Sequence, residues 1–459
     1  MISRSEKHQQ AKADRRRKAR KLAVVNSILF ISVIIIAAVA FVPGKEGRYA
    51  EQIPYIGEKL DWIIETSTAW MKPDGDGKNM AAEQNGKKDD EKGNSPSDSK
   101  QNPADDESSA NGEEQEFTEE PDGNSQQAGS EVIEEEEGGF TPVDGAATVS
   151  MSFVGDILIE EYVQPFVNLH GYSYLFEKAL LYLSEPDLTI GNLEMPITTR
   201  GVPSTQKYVY KGSPEVIKPL LDAGFDIVSL ANNHALDQGI EGLQDTIAHL
   251  DKAGLEHAGT GNNDTEAYAP VIKEMNGMKI AFVSVSKVIP YAEWKATANR
   301  AGVADSYDEK RAVAAVEAAK QAADLVVVLV HWGTERTTEL NSDQLRLGKA
   351  YIDAGADLII GNHPHILQGF EQYKGKWIVY SLGNFIFSSY PKDAEAETGV
   401  LDAVCTKDGH CELKFNPMLT VKAQPAPMEA EAAAALFNKL ESISIGAKVS
   451  SDGRITAKK

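Results

Sequence analysis

The stretch "DAGADLIIGNHPHILQG", residues 353–369, decides the fold. "DAG" reads as the end of a helix and its turn. "DLII" is a short apolar run with no polar alternation, the pattern of a strand buried on both faces. The same helix-turn-strand grammar occurs in "DAGFDIVSLANNH" at 222–234, consistent with a duplication. Directly after the later run come His363 and His365. Residues i and i+2 of an extended segment point to one side, and imidazole is the commonest protein ligand for metals. The other reading of the pair is a polar loop with two solvated histidines.

Working outward, apolar runs of strand length recur as "VSMSFVG", "DLTIGN", "FDIVSLAN", "KIAFVSVS" and "DLVVVLVHWG". Between them lie helical patterns such as "GYSYLFEKALLYLS", "PEVIKPLLDAG", "GIEGLQDTIAHLDKAG" and "DEKRAVAAVEAAKQAA". Buried strands alternating with helices predict an α/β fold. Asn276-Gly277 and Lys374-Gly375 predict hairpins, so the sheets are mixed. Asp156 ends the first run, Glu194 follows the second, Asn233 and His234 the third, His331 ends the fifth, and His363 and His365 follow the sixth. Ligands of open α/β sheets sit beyond the carboxyl ends of strands, and five strand ends carrying such residues predict one common site. Of the nine histidines four lie there, while His8, His170, His249, His257 and His410 fall in tail, helix or turn contexts.

The candidate metal ligands are therefore Asp156, Glu194, Asn233, His331, His363 and His365. Mixed imidazole and carboxylate suits zinc, manganese or iron better than magnesium or calcium. Six candidates exceed what one catalytic zinc takes and suit two ions, which clamp both oxygens of a phosphate ester. No phosphate loop, nucleophile elbow or dinucleotide-binding glycine motif is present.

Ahead of the head the chain is uneven. Residues 1–21 carry nine Lys or Arg against two acids and read as a basic cytoplasmic tail. Residues 22–42, "LAVVNSILFISVIIIAAVAFV", are uncharged and match the length of a transmembrane signal-anchor. The "AVA" at 38–40 leaves a cleaved signal peptide as the alternative. Residues 43–72 form a juxtamembrane segment. Residues 73–148 hold 22 acidic and five basic residues with few large apolar ones, the composition of a disordered acidic linker. Of the total charge of −23, −12 remains on the head, residues 149–459. That balance excludes a nucleic-acid partner, which requires a basic footprint. The reading is a single-pass protein of the cell membrane with its bulk outside the cytoplasm. Cys405 and Cys411, the only cysteines, flank a turn in "VCTKDGHCEL". With Gly409 left-handed in a three-residue hairpin loop they face each other, and an extracytoplasmic setting favours a disulfide.

Residues 149 to about 400 resemble the CapA-like capsule-synthesis family, the poly-γ-glutamate biosynthesis proteins, whose fold is similar to calcineurin-like metallophosphoesterases. The resemblance rests on "SFVGDILI", "GNLEMPIT", "SLANNHALDQG", "VHWGTE", "GNHPHILQG" and "YSLGNFIF", in that order. It implies a metallophosphoesterase-like sandwich of mixed sheets flanked by helices. It also implies metal-ligand roles for Asp156, Asn233, His331, His363 and His365, with His234 as proton donor to a leaving group. Lys211, Glu335 and Asn384 are assigned to substrate contact. One departure matters: the phosphoesterase DxH pattern reads Asp156-Ile157-Leu158, so one imidazole is missing and Glu194 stands as its partial substitute.

The function so implied is synthesis, export or surface attachment of an anionic capsule polymer by a membrane-anchored protein with a metal-bearing head. A negative head would meet a polyanion through metal ions or local cations such as Lys207, Lys211 and Arg336. Two alternatives remain: a non-enzymatic scaffold for membrane capsule-synthetase subunits, and an extracellular metal-dependent phosphodiesterase or phosphatase without a capsule role. On the anchored reading, protease added to intact cells cuts within residues 73–148 and releases a folded head. Resistance of that stretch would refute the topology.

Overall fold

The computed structural model describes residues 147–160, 162–387 and 392–458. The expected tail, anchor and juxtamembrane segment, and the linker up to residue 146, lie outside the described residues. Among the described residues no helix is long and apolar enough to cross a membrane.

Six strands carry the architecture: β1 (Thr148–Ile157), β2 (Leu188–Leu193), β3 (Ile227–Ser229), β4 (Met278–Ser286), β5 (Leu325–His331) and β6 (Leu358–Asn362). They are the six apolar runs of the sequence. The first begins at Thr148, one residue before the expected start of the head. A short seventh strand, β7 (Asn384–Ile386), pairs in parallel with the end of β1.

Strands β1, β2 and β3 are parallel neighbours in a ten-stranded sheet, which continues past β1 through antiparallel Glu397–Thr406 and Cys411–Val421. Strands β4, β5 and β6 are parallel in a six-stranded sheet. Its two hairpins turn at Asn276-Gly277 and Lys374-Gly375, with positive φ at all four residues (51°, 74°, 50° and 76°), as a two-residue type I′ turn requires.

One device recurs at the start of these strands. The Asp of "DLTI", "DIVS", "DLVV" and "DLII" accepts a backbone N–H from the strand next door. Asp187 takes Ser150 (3.0 Å), Asp226 takes Thr189 (2.8 Å), Asp324 takes Lys279 (2.9 Å) and Asp357 takes Val326 (3.0 Å). Each carboxylate thus pins the level at which its strand enters the sheet.

Above those clamps the side chains alternate. Met151, Phe153, Leu188, Ile190 and Ile227 of the first sheet meet Ile280, Phe282, Val327, Leu329, Leu358 and Ile360 of the second in one core. The opposite face of the first sheet (Val154, Ile157, Val228) packs on the helices Ile217–Ala223 and Gly239–Ala253. That of the second (Val283, Val326, Val328, Ile359) packs on Glu309–Ala322 and Ser342–Asp353. The result is a mixed α/β sandwich with helices outside. The repeated grammar of 222–234 and 353–363 is used once in each sheet.

Two helical patterns come out differently. Residues 171–184 form a 3₁₀ turn, Tyr172–Ala179, before the short helix Leu180–Ser184. The 214–224 pattern splits at Val216, because Pro219 has no N–H to donate in the first turn of Ile217–Ala223.

Cys405 and Cys411 oppose each other in register, 4.1 Å apart at Cα, and are bonded beyond the Lys407–Gly409 loop, where Gly409 has φ 78°. Both are buried. A loop this short constrains the unfolded chain little. Replacing both by Ala should cost about 2 kcal/mol in urea unfolding while the fold persists; outright failure to fold would contradict this.

Candidate metal centre

The inward row of each parallel strand changes character at its carboxyl end. Along β2 it reads Leu188, Ile190, Asn192, and then Glu194 beyond the strand. On β3 it passes from Ile227 to Ser229, on β4 from Phe282 to Ser284, on β5 from Leu329 to His331, and on β6 from Ile360 to Asn362. Because side chains repeat every second residue, these polar ends collect between the sheets above the apolar core. Ser229 and Ser284 already join across the gap, Oγ to Oγ, at 2.8 Å.

Asp156 reaches this side through an irregularity. Phe153 pairs with Ile190 but Asp156 with Asn192, so β1 carries one extra residue there. Such a bulge re-aims the side chains beyond it. Gly155 permits it, since a Cβ at that position would stand 1.9 Å from the Gly383 carbonyl oxygen.

His363 and His365 do converge, though not by extended alternation. Strand β6 ends at Asn362, and the two histidines have φ of 99° and 59° on either side of Pro364. Positive φ is costly for a residue with a Cβ. The loop is held by bonds from Arg336 N–H to the Pro364 carbonyl (2.8 Å) and from Ser381 Oγ to the Ile366 carbonyl (2.7 Å).

The cluster that results is buried, with Asp156 and Glu194 at 0% exposure and His331, His363 and His365 at 5% or less. His365 Nδ1 lies 3.1 Å from both Asp156 Oδ2 and Asn384 Oδ1, an arrangement that fixes the ring and leaves Nε2 for a ligand. Asn384, expected at the substrate, is thus buried behind His365. His331 Nε2 meets Asn233 Oδ1 at 2.7 Å and lies 3.6 Å from Glu194 Oε1, beyond hydrogen-bond range. Glu194, His331 and His363 can direct one ligand atom each to a common point, as can Asp156, Glu194 and His365, and also Glu335, His363 and His365.

Whether a cation suits this place is answered by its unpaired atoms. Glu194 Oε1 and His363 Nδ1 are buried without any hydrogen-bond partner. Such groups cost about 1–3 kcal/mol each when left unsatisfied, and both belong to groups able to surround an ion. The donor set of imidazole and carboxylate matches a transition metal. Burial, reinforced by the neighbouring Asp156, pushes the Glu194 carboxyl well above the usual carboxylate range. Burial, helped by the facing histidines, drives His331 well below its ordinary value and His363 down to about 3. Both rings are therefore neutral, the form that ligates.

His234 stands apart from the ligands. Its Nδ1 pairs with Asp237 Oδ2 at 2.7 Å, and Tyr210 packs edge-on against the ring. Asp237 in turn accepts from the Tyr210 N–H (2.8 Å) and from Gln206 Nε2 (2.7 Å), which also donates to the Asn233 carbonyl. Sequence reasoning missed Asp237 and Asn192. The signals were present, as Asp237 follows His234 by one helical turn in "NNHALD" and Asn192 occupies the inward row of β2. Leu158, at the absent imidazole's position, is fully buried in the outer core. Lys211 is exposed, and its described contact, a main-chain N–H to Glu160, does not involve the cluster.

Residues 150–389 match the family described as "Bacterial capsule synthesis protein PGA_cap". The chain is 36% identical over 246 residues to the "Capsule biosynthesis protein CapA" of Bacillus anthracis, covering 52% of this chain and 60% of that one. It is 32% identical over 284 residues to the "PGA biosynthesis protein CapA" of Bacillus subtilis, covering 61% and 74%. A "Probable polyglutamine synthesis accessory protein" of Mycobacterium tuberculosis is 30% identical over 221 residues, 45% of this chain and 57% of that one. Among solved structures, a hypothetical protein of Thermus thermophilus aligns with 17% identity and a TM-score of 0.36, covering 61% of this chain and all of its own. The sulfate thiohydrolase SoxB of the same organism aligns with 18% identity and a TM-score of 0.35, covering 59% and 46%.

The depressed His363 gives a pH test. In the unfolded chain it takes up a proton near its ordinary 6.5, but in the folded head only near 3. The folded state binds fewer protons between those values, so stability present above pH 6.5 is lost as pH falls through that window. In chelator-treated protein, wild type should lose urea stability relative to His363→Gln on acidification from pH 7 to pH 4. A difference constant with pH would contradict the burial.

Proposed function

The chain belongs to the bacterial capsule synthesis protein PGA_cap family, and from that membership we propose that it serves synthesis, export or surface attachment of an anionic, poly-γ-glutamate-type capsule polymer. It does so through a metal-binding, metallophosphoesterase-like head held outside the cell membrane by the residue 22–42 segment. The observation that carries the reading is the meeting of Glu194 with His331, His363 and His365, two of whose ligand atoms are buried and unpaired. The names borne by the Bacillus relatives support the capsule role, and membrane synthetase subunits are the partners that role calls for.

Asp156, Glu194, Asn233, His331, His363 and His365 would hold one or two divalent ions of manganese, iron or zinc. A bound ion supplies Lewis acidity to a phosphoryl oxygen and neutralises charge that develops there. The rest of the chemistry belongs to the chain. Asp237 holds Nδ1 of His234 and so presents Nε2 to the leaving oxygen, to which His234 delivers a proton. Tyr210 and Gln206 fix the carboxylate, and the ring's near-complete burial limits competing water.

A second reading, the scaffold that keeps the architecture without turnover, is favoured by Leu158, where the phosphoesterase pattern has an imidazole. The two are separated by paired variants. His363→Ala should lower metal content, because a lost ligand is not replaced. His234→Ala should keep metal near wild type yet slow phosphoester cleavage by roughly 10² to 10⁴, the range of general acid catalysis. Metal binding without hydrolysis, together with capsule formation that survives His234→Ala, would install the scaffold; a wild-type head that binds no transition metal would end the metal reading of the cluster and leave inherited architecture.

A further inference from the structure

The missing imidazole leaves one question that the fold itself answers. Leu158 lies buried in the outer core, so β1 offers one ligand, Asp156, where the DxH pattern offers two. Opposite it, the loop after β5 brings up a carboxylate. Glu335 directs a ligand atom to within 4.8 Å of those of His363 and His365. Its neighbours hold it there. Arg336, with φ 58°, donates its N–H to the Pro364 carbonyl between the two histidines. Its guanidinium Nε bonds Glu395 at 2.5 Å. The Thr337 carbonyl accepts from Gln368 Nε2 at 2.9 Å, and Gln368 is itself bound to Gln344 at 2.8 Å. The loop carrying Glu335 is thus fastened to the loop carrying the histidines at the two residues that directly follow the acid.

The contents of the site point the same way. His363 Nδ1 is buried and unpaired, as is Glu194 Oε1 across the cluster.

We infer that Glu335 is a metal-binding residue: with His363 and His365 it completes a metal position in place of the imidazole that Leu158 removes. The inference rests on the metal-binding reading above and assigns to Glu335 a place in the metal's shell instead of the substrate contact expected from sequence. As Glu335 is exposed while the other ligands are buried, this position opens toward solvent and is the one from which an ion exchanges.

The test is a calorimetric titration of the full-length chain, stripped with chelator, with Mn²⁺ and separately Zn²⁺. Glu335→Gln is compared with Glu339→Gln, an exposed acid of the same loop that controls for charge. Loss of an outer partner of a metal ligand already costs about 10- to 100-fold in affinity, so Glu335→Gln should weaken at least one ion by tenfold or more while Glu339→Gln stays at wild type. Wild-type binding with Glu335→Gln unchanged, or with both variants equally weakened, overturns the inference and leaves the metal centre standing. A wild-type chain that binds neither ion overturns the metal reading itself. Circular dichroism of Glu335→Gln confirms that an exposed substitution has left the fold intact.

Discussion

Everything at the candidate metal centre depends on the level at which each strand enters its sheet. In a strand whose side chains alternate, a slip of one residue moves every inward group to the other face. Here four aspartates at strand starts, Asp187, Asp226, Asp324 and Asp357, each grip a backbone N–H of the adjacent strand. With those levels fixed, Asn192, Ser229, Ser284, His331 and Asn362 must arrive together at the far end. The clamp sits at one end of the sandwich and its consequence at the other, joined by a rigid apolar core.

That logic explains why the cluster can be both buried and unfinished. An unpaired carboxylate oxygen and an unpaired imidazole nitrogen oppose folding, and so do positive φ angles at His363 and His365. The core beneath, with Phe153, Ile190, Phe282, Val327, Leu329 and Ile360 all essentially inaccessible, offsets those costs without help from the site. A scaffold so stabilised can keep its polar atoms aimed at a point where only a ligand satisfies them.

How much of this was legible beforehand follows from the range of each signal. The six strands, the two hairpins and the convergence of Asp156, Glu194, His331, His363 and His365 were written in local runs and their last residues. Asp156 illustrates the limit. Alternation along β1 alone puts it on the wrong face, and only the extra residue relative to β2 brings it in. A bulge is a relation between two strands, and one strand's sequence does not carry it. Asn384 and Glu335, both expected at the substrate, are placed elsewhere for a similar reason. Their motifs, "SLGNF" and "HWGTE", announce that something happens at a strand end, but only packing shows that Asn384 backs His365 while Glu335 comes to the front. Asp237 was in plain view three residues after His234, and was passed over because an acid in a turn is so ordinary.

The proposed exchange of a strand-borne ligand for the loop-borne Glu335 would also alter what kind of centre this is. A ligand on β1 would inherit the rigidity of the sheet, since that strand is paired on both sides over Met151–Phe153 and again at Asp156 and Ile157. Glu335 inherits instead the stiffness of a loop tied by Arg336, Thr337 and Gln368, with its carboxylate in contact with water. Buried, strand-mounted ligands hold an ion tightly and let it go slowly; an exposed, loop-mounted one trades retention for access. In a head that carries a net −12, a position open to solvent is also where the local field can turn positive once an ion is bound. On the proposed capsule role, a polyanion repelled by the rest of the surface would meet attraction at that one mouth, so a geometry that weakens a metal's hold would also admit an anionic partner.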